Sequence, residues 1–290
     1  VGAARRWSSI IGALFLGLTL AACSTNRLVF NHAHTLVYYW LDAYFDFDGP
    51  QSLALKDSLH NLQDWHRKQE LPQLAELLKN LQPVATQEIS AEQACMLWDY
   101  MQQRLQAPLT QLSPALAQLA SGLKPEQMEH IAEEFKKRNQ QWRAEWLERT
   151  PAQRIARRSQ QIVERSEQFY GQLDATQREL IRSQVLASGY DPEMLHKEML
   201  RRQRDSLQTL GRLRTGALTA EAAQAEMQAL FARAALSPDP AARQYTEGVT
   251  RALCAAVAAV HNSSSAAQRA HLVTTLKAYE TDARALMQTP

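Results

Sequence analysis

Met128-Glu129-His130-Ile131-Ala132-Glu133-Glu134-Phe135-Lys136-Lys137-Arg138-Asn139-Gln140-Gln141-Trp142-Arg143-Ala144-Glu145-Trp146 sets Met128, Ile131, Phe135, Asn139, Trp142 and Trp146 at spacings of three and four. That is the period of one helical face, with charge covering the rest of the circumference. Ile155, Ser159, Ile162, Ser166 and Phe169 continue the rhythm beyond Thr150-Pro151, where a proline suits the first position of a new helix. The two segments are expected to pair antiparallel along a narrow seam, serines leaving room for tryptophan, as a hairpin over 124–171 projecting from the body. Lys136, Lys137, Arg143, Arg154, Arg157 and Arg158 give this region a basic cast and form a candidate surface for an anionic partner. A solvated charged face explains the same residues and is the preferred reading.

Working outward, helix-start phrases recur. Ser90-Ala91-Glu92-Gln93, Thr150-Pro151-Ala152-Gln153 and Asp174-Ala175-Thr176-Gln177 each put an oxygen-bearing cap three residues before glutamine, the pattern of a capping box. In Lys124-Pro125-Glu126-Gln127 a lysine stands where the capping oxygen belongs. Leu123 to Ile131 and Leu173 to Ile181 align at a spacing of 50 residues, which suggests repeated helical hairpins. These phrases resemble the Leu-Thr-x-x-Gln repeats of the Spy-type periplasmic chaperones, small helical proteins that cradle unfolded clients. That resemblance implies a chaperone role, although helix starts favour the same residues in any protein.

Further helices are expected from Pro50 to about Gln69, from Pro72, from Asp191-Pro192 to about Arg214 and over 219–235. Two more follow Ser237-Pro238-Asp239-Pro240, split at Asn262-Ser263-Ser264-Ser265. No segment sustains the alternation of a strand. Three of the ten glycines fall before residue 23, and the remainder is rich in helix formers. The fold class is all-α, a multi-helix bundle.

Residues 30–47 carry Phe30, Tyr38, Tyr39, Trp40, Tyr44, Phe45 and Phe47, seven of the 21 aromatic residues. As a helix, Leu36, Trp40, Tyr44 and Phe47 share one face and Val37, Leu41 and Phe45 a neighbouring one. Two readings follow: a central helix surrounded on all sides, or one whose outer rings lie at lipid headgroups. Arg27-Leu28-Val29-Phe30-Asn31, Trp40-Leu41-Asp42-Ala43-Tyr44-Phe45-Asp46 and Trp65-His66-Arg67-Lys68-Gln69-Glu70-Leu71-Pro72 resemble the signature of a family of bacterial lipoproteins defined only as a domain of unknown function. Phe30 stands where a tyrosine is expected and Leu74 where an aromatic is usual. The resemblance implies an all-helical lipoprotein, marks Trp40, Asp42, Tyr44, Trp65, His66, Arg67 and Glu70 as motif residues, and brings no reaction with it.

Ahead of these motifs, Arg5-Arg6 precede an apolar run from Ile10 to Ala22 that ends in Leu20-Ala21-Ala22-Cys23. The run is about 13 residues, short of the roughly 20 that span a bilayer, so it reads as a cleaved secretory signal. Trp7-Ser8-Ser9 departs from a twin-arginine export signal. Leu-Ala-Ala-Cys resembles a bacterial lipobox, which implies lipidation of Cys23. Ser24 in place of aspartate implies transfer to the outer membrane. The expected organisation is a signal over 1–22, a lipidated tether over 23–29 and a helical domain over 30–290.

Without Arg5 and Arg6, 30 Lys and Arg face 30 Asp and Glu. A neutral chain lacks the positive field of a general nucleic-acid binder, so nucleic acid is not an expected partner. No glycine loop for phosphate, no G-x-S-x-G, no H-E-x-x-H and no paired-cysteine motif is present. Glu193 and His196 give a single E-x-x-H where di-iron bundles need two. Asp57 with His60, and His66 with Glu70, lack converging ligands. No metal and no cofactor are expected. Once Cys23 is lipidated, Cys95 and Cys254 remain as a candidate disulfide in an oxidising compartment. The expectation is a non-enzymatic lipoprotein anchored in the outer membrane at its periplasmic face, binding other envelope proteins, in its concrete form as a helical chaperone. A structural or assembly subunit is the alternative, and a metal-dependent enzyme ranks third. The sequence carries no signature of a particular oligomeric state.

Overall fold

The computed structural model describes residues 26–288. The signal over 1–22 and Cys23 lie outside the described residues. Among those described there are helices and connecting turns and no strand. In chain order the helices are α1 (Ala33–Phe45), α2 (Gly49–Val84), α3 (Ala91–Ser121), α4 (Pro125–Trp142), α5 (Pro151–Tyr170), α6 (Ala175–Ala187), α7 (Pro192–Arg214), α8 (Ala220–Ala235), α9 (Pro240–Asn262) and α10 (Ala266–Met287). The all-α multi-helix bundle stands.

The 36 residues of α2 and 31 of α3 form the spine. At about 1.5 Å per residue they are roughly 54 and 46 Å long. The sequence led us to expect two helices meeting near Pro72, yet α2 runs through Pro72 and Pro83, and α3 through Pro108 and Pro114. Packing explains the continuity. Leu55 and Leu59 are buried with Tyr38 and Leu112, and further along the same helix Leu71, Ala75 and Leu78 are buried against α10. A buried leucine contributes about 1.5–3 kcal/mol, so a continuous apolar face offsets the roughly 3 kcal/mol cost of an interior proline.

Leu71 and Ala75 meet Ala283 and Leu286, whereas Leu78 and Ala85 meet Leu272 and Leu276, so α2 and α10 run antiparallel. One end of the spine carries a core in which α3, α4, α7 and α8 contribute Ala117, Ile131, Leu210, Leu213, Met227 and Leu230. Toward the other, α5, α6 and α9 supply Val163, Ile181, Val185 and Val260. The apolar interior is therefore distributed along the spine.

The hairpin expected over 124–171 is corrected. α4 packs on α1 and α7, and α5 packs on α6 and α10. The two meet around their junction, where Arg157 pairs with Glu145 and Arg154 Nη2 donates to the carbonyl of Leu147 at 2.6 Å. Between them α4 passes into a π-helical turn, Arg143–Leu147, closed by Glu148 N–H donating to Arg143 O at 2.9 Å. The widened turn accompanies burial of Trp146, which meets Trp142 and Tyr190 edge-on or tilted.

Two further corrections concern the start of the described chain. α1 is an outer helix: Tyr38 is its one buried residue, and Leu36, Val37, Tyr39 and Trp40 are exposed. The expected tether also shortens, because helical backbone begins at Asn26. Arg27 Nε donates to the buried Asp282 at 2.6 Å, and Gln63 Nε2 donates to Phe30 O at 3.0 Å, which fastens residues 26–31 to α10 and α2.

Candidate functional site

α5 stands opposite α2 and α3, touching the α2 side through Phe169 and Tyr170 at one end, and α9 packs on α3 and α6. The space so enclosed is a groove of about 490 Å³. Protein interiors hold few voids larger than a water molecule, and about 300–1,000 Å³ is the range of small-molecule sites. Leu74, Leu77, Leu78 and Leu81 from α2 and Leu97 and Met101 from α3 form one wall. Ile162, Ser166, Phe169 and Tyr170 from α5 form the other. Val249, Ala252, Leu253, Ala256 and Val260 of α9 make the floor, with Ile181 and Val185 from α6 and Leu272 and Leu276 from α10 completing it. Ala252 and Ala256 are the small side chains of the floor.

Its polar groups are few. Tyr170 Oη and His261 Nδ1 lie 2.9 Å apart, and His261 Nε2 is 2.7 Å from Gln87 O, so both ring nitrogens are engaged inside the protein. Burial pushes the Tyr170 phenol up to about 12 and holds His261 below the usual histidine value, the Gln87 carbonyl opposing. At the other end Arg158 lies over the Tyr190 ring, 5.1 Å from its centre. Burial raises Tyr190 to about 12, with Arg158 pulling the other way. Arg165 lies on the exposed rim, donating to Gln168 Oε1 at 3.1 Å. Among the described residues neither Arg158 nor Arg165 pairs with a carboxylate.

The six candidate basic residues therefore divide. Lys136 and Lys137 pair with Glu133 and Glu134 one turn back. Arg154 lies 3.7 Å from Glu193, and Arg157 is held between Glu145 and the Trp146 ring. Arg143 sits near His196, whose pKa falls through burial and that charge. Only Arg158 belongs to the groove. The wide basic face read from sequence is thus largely neutralised by nearby glutamates.

The motif residues lie elsewhere in two groups, His66, Arg67 and Glu70 as a latch and Trp40, Asp42 and Tyr44 near the turn from α1 into α2. Glu70, buried, accepts from Arg104 Nε at 2.8 Å and Nη2 at 2.6 Å. Arg67 donates to Asn31 Oδ1 at 2.8 Å and lies over the Phe30 ring. His66 packs between Phe30 and Trp65 with its pKa lowered, mainly by burial. Asp42 Oδ1 accepts from Phe47 N–H at 3.1 Å and shapes the turn into α2. Trp40 leans on Tyr44, and Tyr44 on Phe135 and Arg138. Each role is architectural. Among the described residues no group of three or more His, Cys, Asp or Glu is placed to hold a metal.

Cys95 on α3 and Cys254 on α9 are joined by a disulfide, with Cα atoms 5.2 Å apart. It ties the floor of the groove to one wall beside Leu97 and Leu253. Sequence reasoning missed the groove itself. Its signal is the spacing of Ile162, Ser166 and Phe169, which predicts a seam with α4, whereas in the fold that face lines the groove.

A family of unknown function, DUF6279, matches residues 43–229. The match takes in the spine, α4 to α7 and the first part of α8, whereas α9 and α10 lie beyond it. No curated protein and no solved structure matches the chain.

Proposed function

The chain belongs to that family of unknown function, and from this premise we propose that it is a non-enzymatic envelope lipoprotein, anchored through Cys23 in the outer membrane, that binds the apolar part of an envelope component in the groove beside α5. The observation that carries the binding role is a half-open space of about 490 Å³ with an almost wholly apolar lining. Support for the compartment comes from the Leu20-Ala21-Ala22-Cys23 sequence and from a disulfide, which persists in oxidising surroundings. No helix among the described residues is long and apolar enough to cross a membrane. Exposed Leu28, Val29, Leu36, Tyr39 and Trp40 follow closely on Cys23 and suit the headgroup layer.

The test is saturable binding of an uncharged apolar dye, 1-N-phenylnaphthylamine. One site per chain, lost in Ala256→Trp with the fold retained, is expected. Equal dye binding by wild type and Ala256→Trp would overturn the reading.

A second reading, the binding of envelope proteins as a chaperone or as an assembly subunit, draws on exposed Met96, Leu105 and Leu109 along α3. In-cell crosslinking from position 105 separates its two forms. Many clients favour a chaperone and one dominant adduct an assembly role; adducts no more abundant than from an exposed site on α7 remove both.

A further inference from the structure

The groove has a direction. Arg158 and Tyr170 both line it, and they are twelve residues apart on α5, which is about 18 Å along the helix. The Tyr170 end is closed by a hydroxyl and an imidazole that satisfy each other and Gln87, and Arg269, the cation near them, donates to the Thr86 carbonyl from outside the groove lining. The Arg158 end carries a half-buried cation without a carboxylate, held over the face of Tyr190, while Arg165, seven residues on toward Tyr170, lies exposed on the rim. A guanidinium in that position presents planar donors to a carboxylate, and its partial burial strengthens the pairing.

We propose that the groove binds a single-chain amphiphile with an anionic head, a long-chain fatty acid, its carboxylate on Arg158 and its alkyl chain running toward Tyr170. This rests on the proposed apolar-binding role of the groove and adds its ligand class. The volume argues for one chain, and the half-buried lining cation at the Arg158 end argues for a head and a tail.

The test uses the full chain reconstituted in phosphatidylcholine vesicles, with photoreactive palmitic acid and photoreactive hexadecanol carrying the same chain. Adducts are mapped by mass spectrometry to the 151–170 and 240–262 segments. The acid is expected to reach half-saturation at least about tenfold below the alcohol, the difference expected from one charge-assisted contact. Arg158→Ala should bring the acid to the level of the alcohol, Arg158→Lys should keep most of the preference, and Ala256→Trp should abolish both adducts. Equal labelling by acid and alcohol, or an unchanged preference in Arg158→Ala, would overturn the head-group assignment while leaving the apolar groove standing. Absence of groove adducts from both probes would overturn the groove's role and the fatty-acid assignment together. Should Arg158→Ala misfold, Arg158→Gln compared with Arg158→Lys makes the same distinction.

Discussion

Gln177 and Gln268 exchange amide hydrogen bonds, each Nε2 donating to the other's Oε1 at 2.9 Å. Gln127 and Gln51 repeat the arrangement at 2.8 and 3.2 Å. The agreement extends outward: Gln268 also donates to Gln172 O and Gln51 to Gly122 O, the residues just before Leu173 and Leu123. Gln177 donates to Ser263 O and Gln127 to Asp46 O, each two residues ahead of the partner's helix cap. One clasp holds the start of α2 and the other the start of α10. Because those helices are antiparallel, the clasps lie toward opposite ends of α2.

Each clasp joins two helix-start amides that also hold backbone groups of their own and their partner's turn, with Gln127 and Gln177 buried, so breaking one should be costly. Gln177→Ala is expected to lower unfolding free energy by about 1–3 kcal/mol, since Ser263 O and the Gln268 amide lose a partner. Gln177→Ala with Gln268→Ala should cost less than the sum of the two single changes. Strict additivity in denaturant titrations would show that the amides do not act as a pair.

How much of this was legible can be seen from the same residues. The spacing of Leu123 and Leu173 and their following glutamines was readable, because capping chemistry is local. That Gln127 and Gln177 would be buried against Gln51 and Gln268 was not, because the partners are 76 and 91 residues away. Helix existence and most boundaries followed from periodicity. The pairing of α5 with α6 and α10, and the groove left beside it, depended on which apolar face found which neighbour. Pro72 misled for the same reason: the local penalty was visible and the tertiary packing that offsets it was not.

The motif around Trp65 to Pro72 is predicted to act on stability and leave ligand binding intact. Glu70→Ala should leave Arg104 unpaired and destabilise by about 1–3 kcal/mol, reduced from a fully buried pair because Arg104 is partly exposed. Calorimetry and dye binding should separate the two effects. Loss of binding at temperatures where Glu70→Ala remains folded would contradict the latch.

Stability should fall between pH 7 and pH 5. His66 and His261 have folded pKa values below the usual 6.5, chiefly through burial, so the unfolded chain takes up more protons in that interval. Their contribution is complete above pH 6.5 and is lost as pH drops toward the folded values. His261→Gln removes one of these groups, and its denaturation midpoint should slope less steeply with pH than that of wild type. Parallel slopes would clear His261.

Cys23→Ser is expected to yield an unlipidated precursor that stays at the inner membrane. Labelled palmitate and membrane fractionation provide the measurement. Wild type without label, together with equal outer-membrane recovery of the variant, would defeat the anchor.

The Cys95–Cys254 bond closes a separation of 159 residues and joins α3 to α9, the floor of the groove. In the chain-entropy model a loop of that length contributes about 5 kcal/mol, a ceiling that residual structure in the unfolded chain lowers. Cys95→Ser with Cys254→Ser should therefore unfold at clearly lower denaturant, and the loss should be matched by wild type under reductant. Binding should weaken as well, since Leu97 and Leu253 lose the tie that fixes one wall against the floor. Thiol labelling of denatured, non-reduced protein supplies the independent check: modification of neither cysteine is expected. Quantitative modification of both would mean that α3 and α9 are held by packing alone, and the reductant would then leave stability and dye binding unchanged.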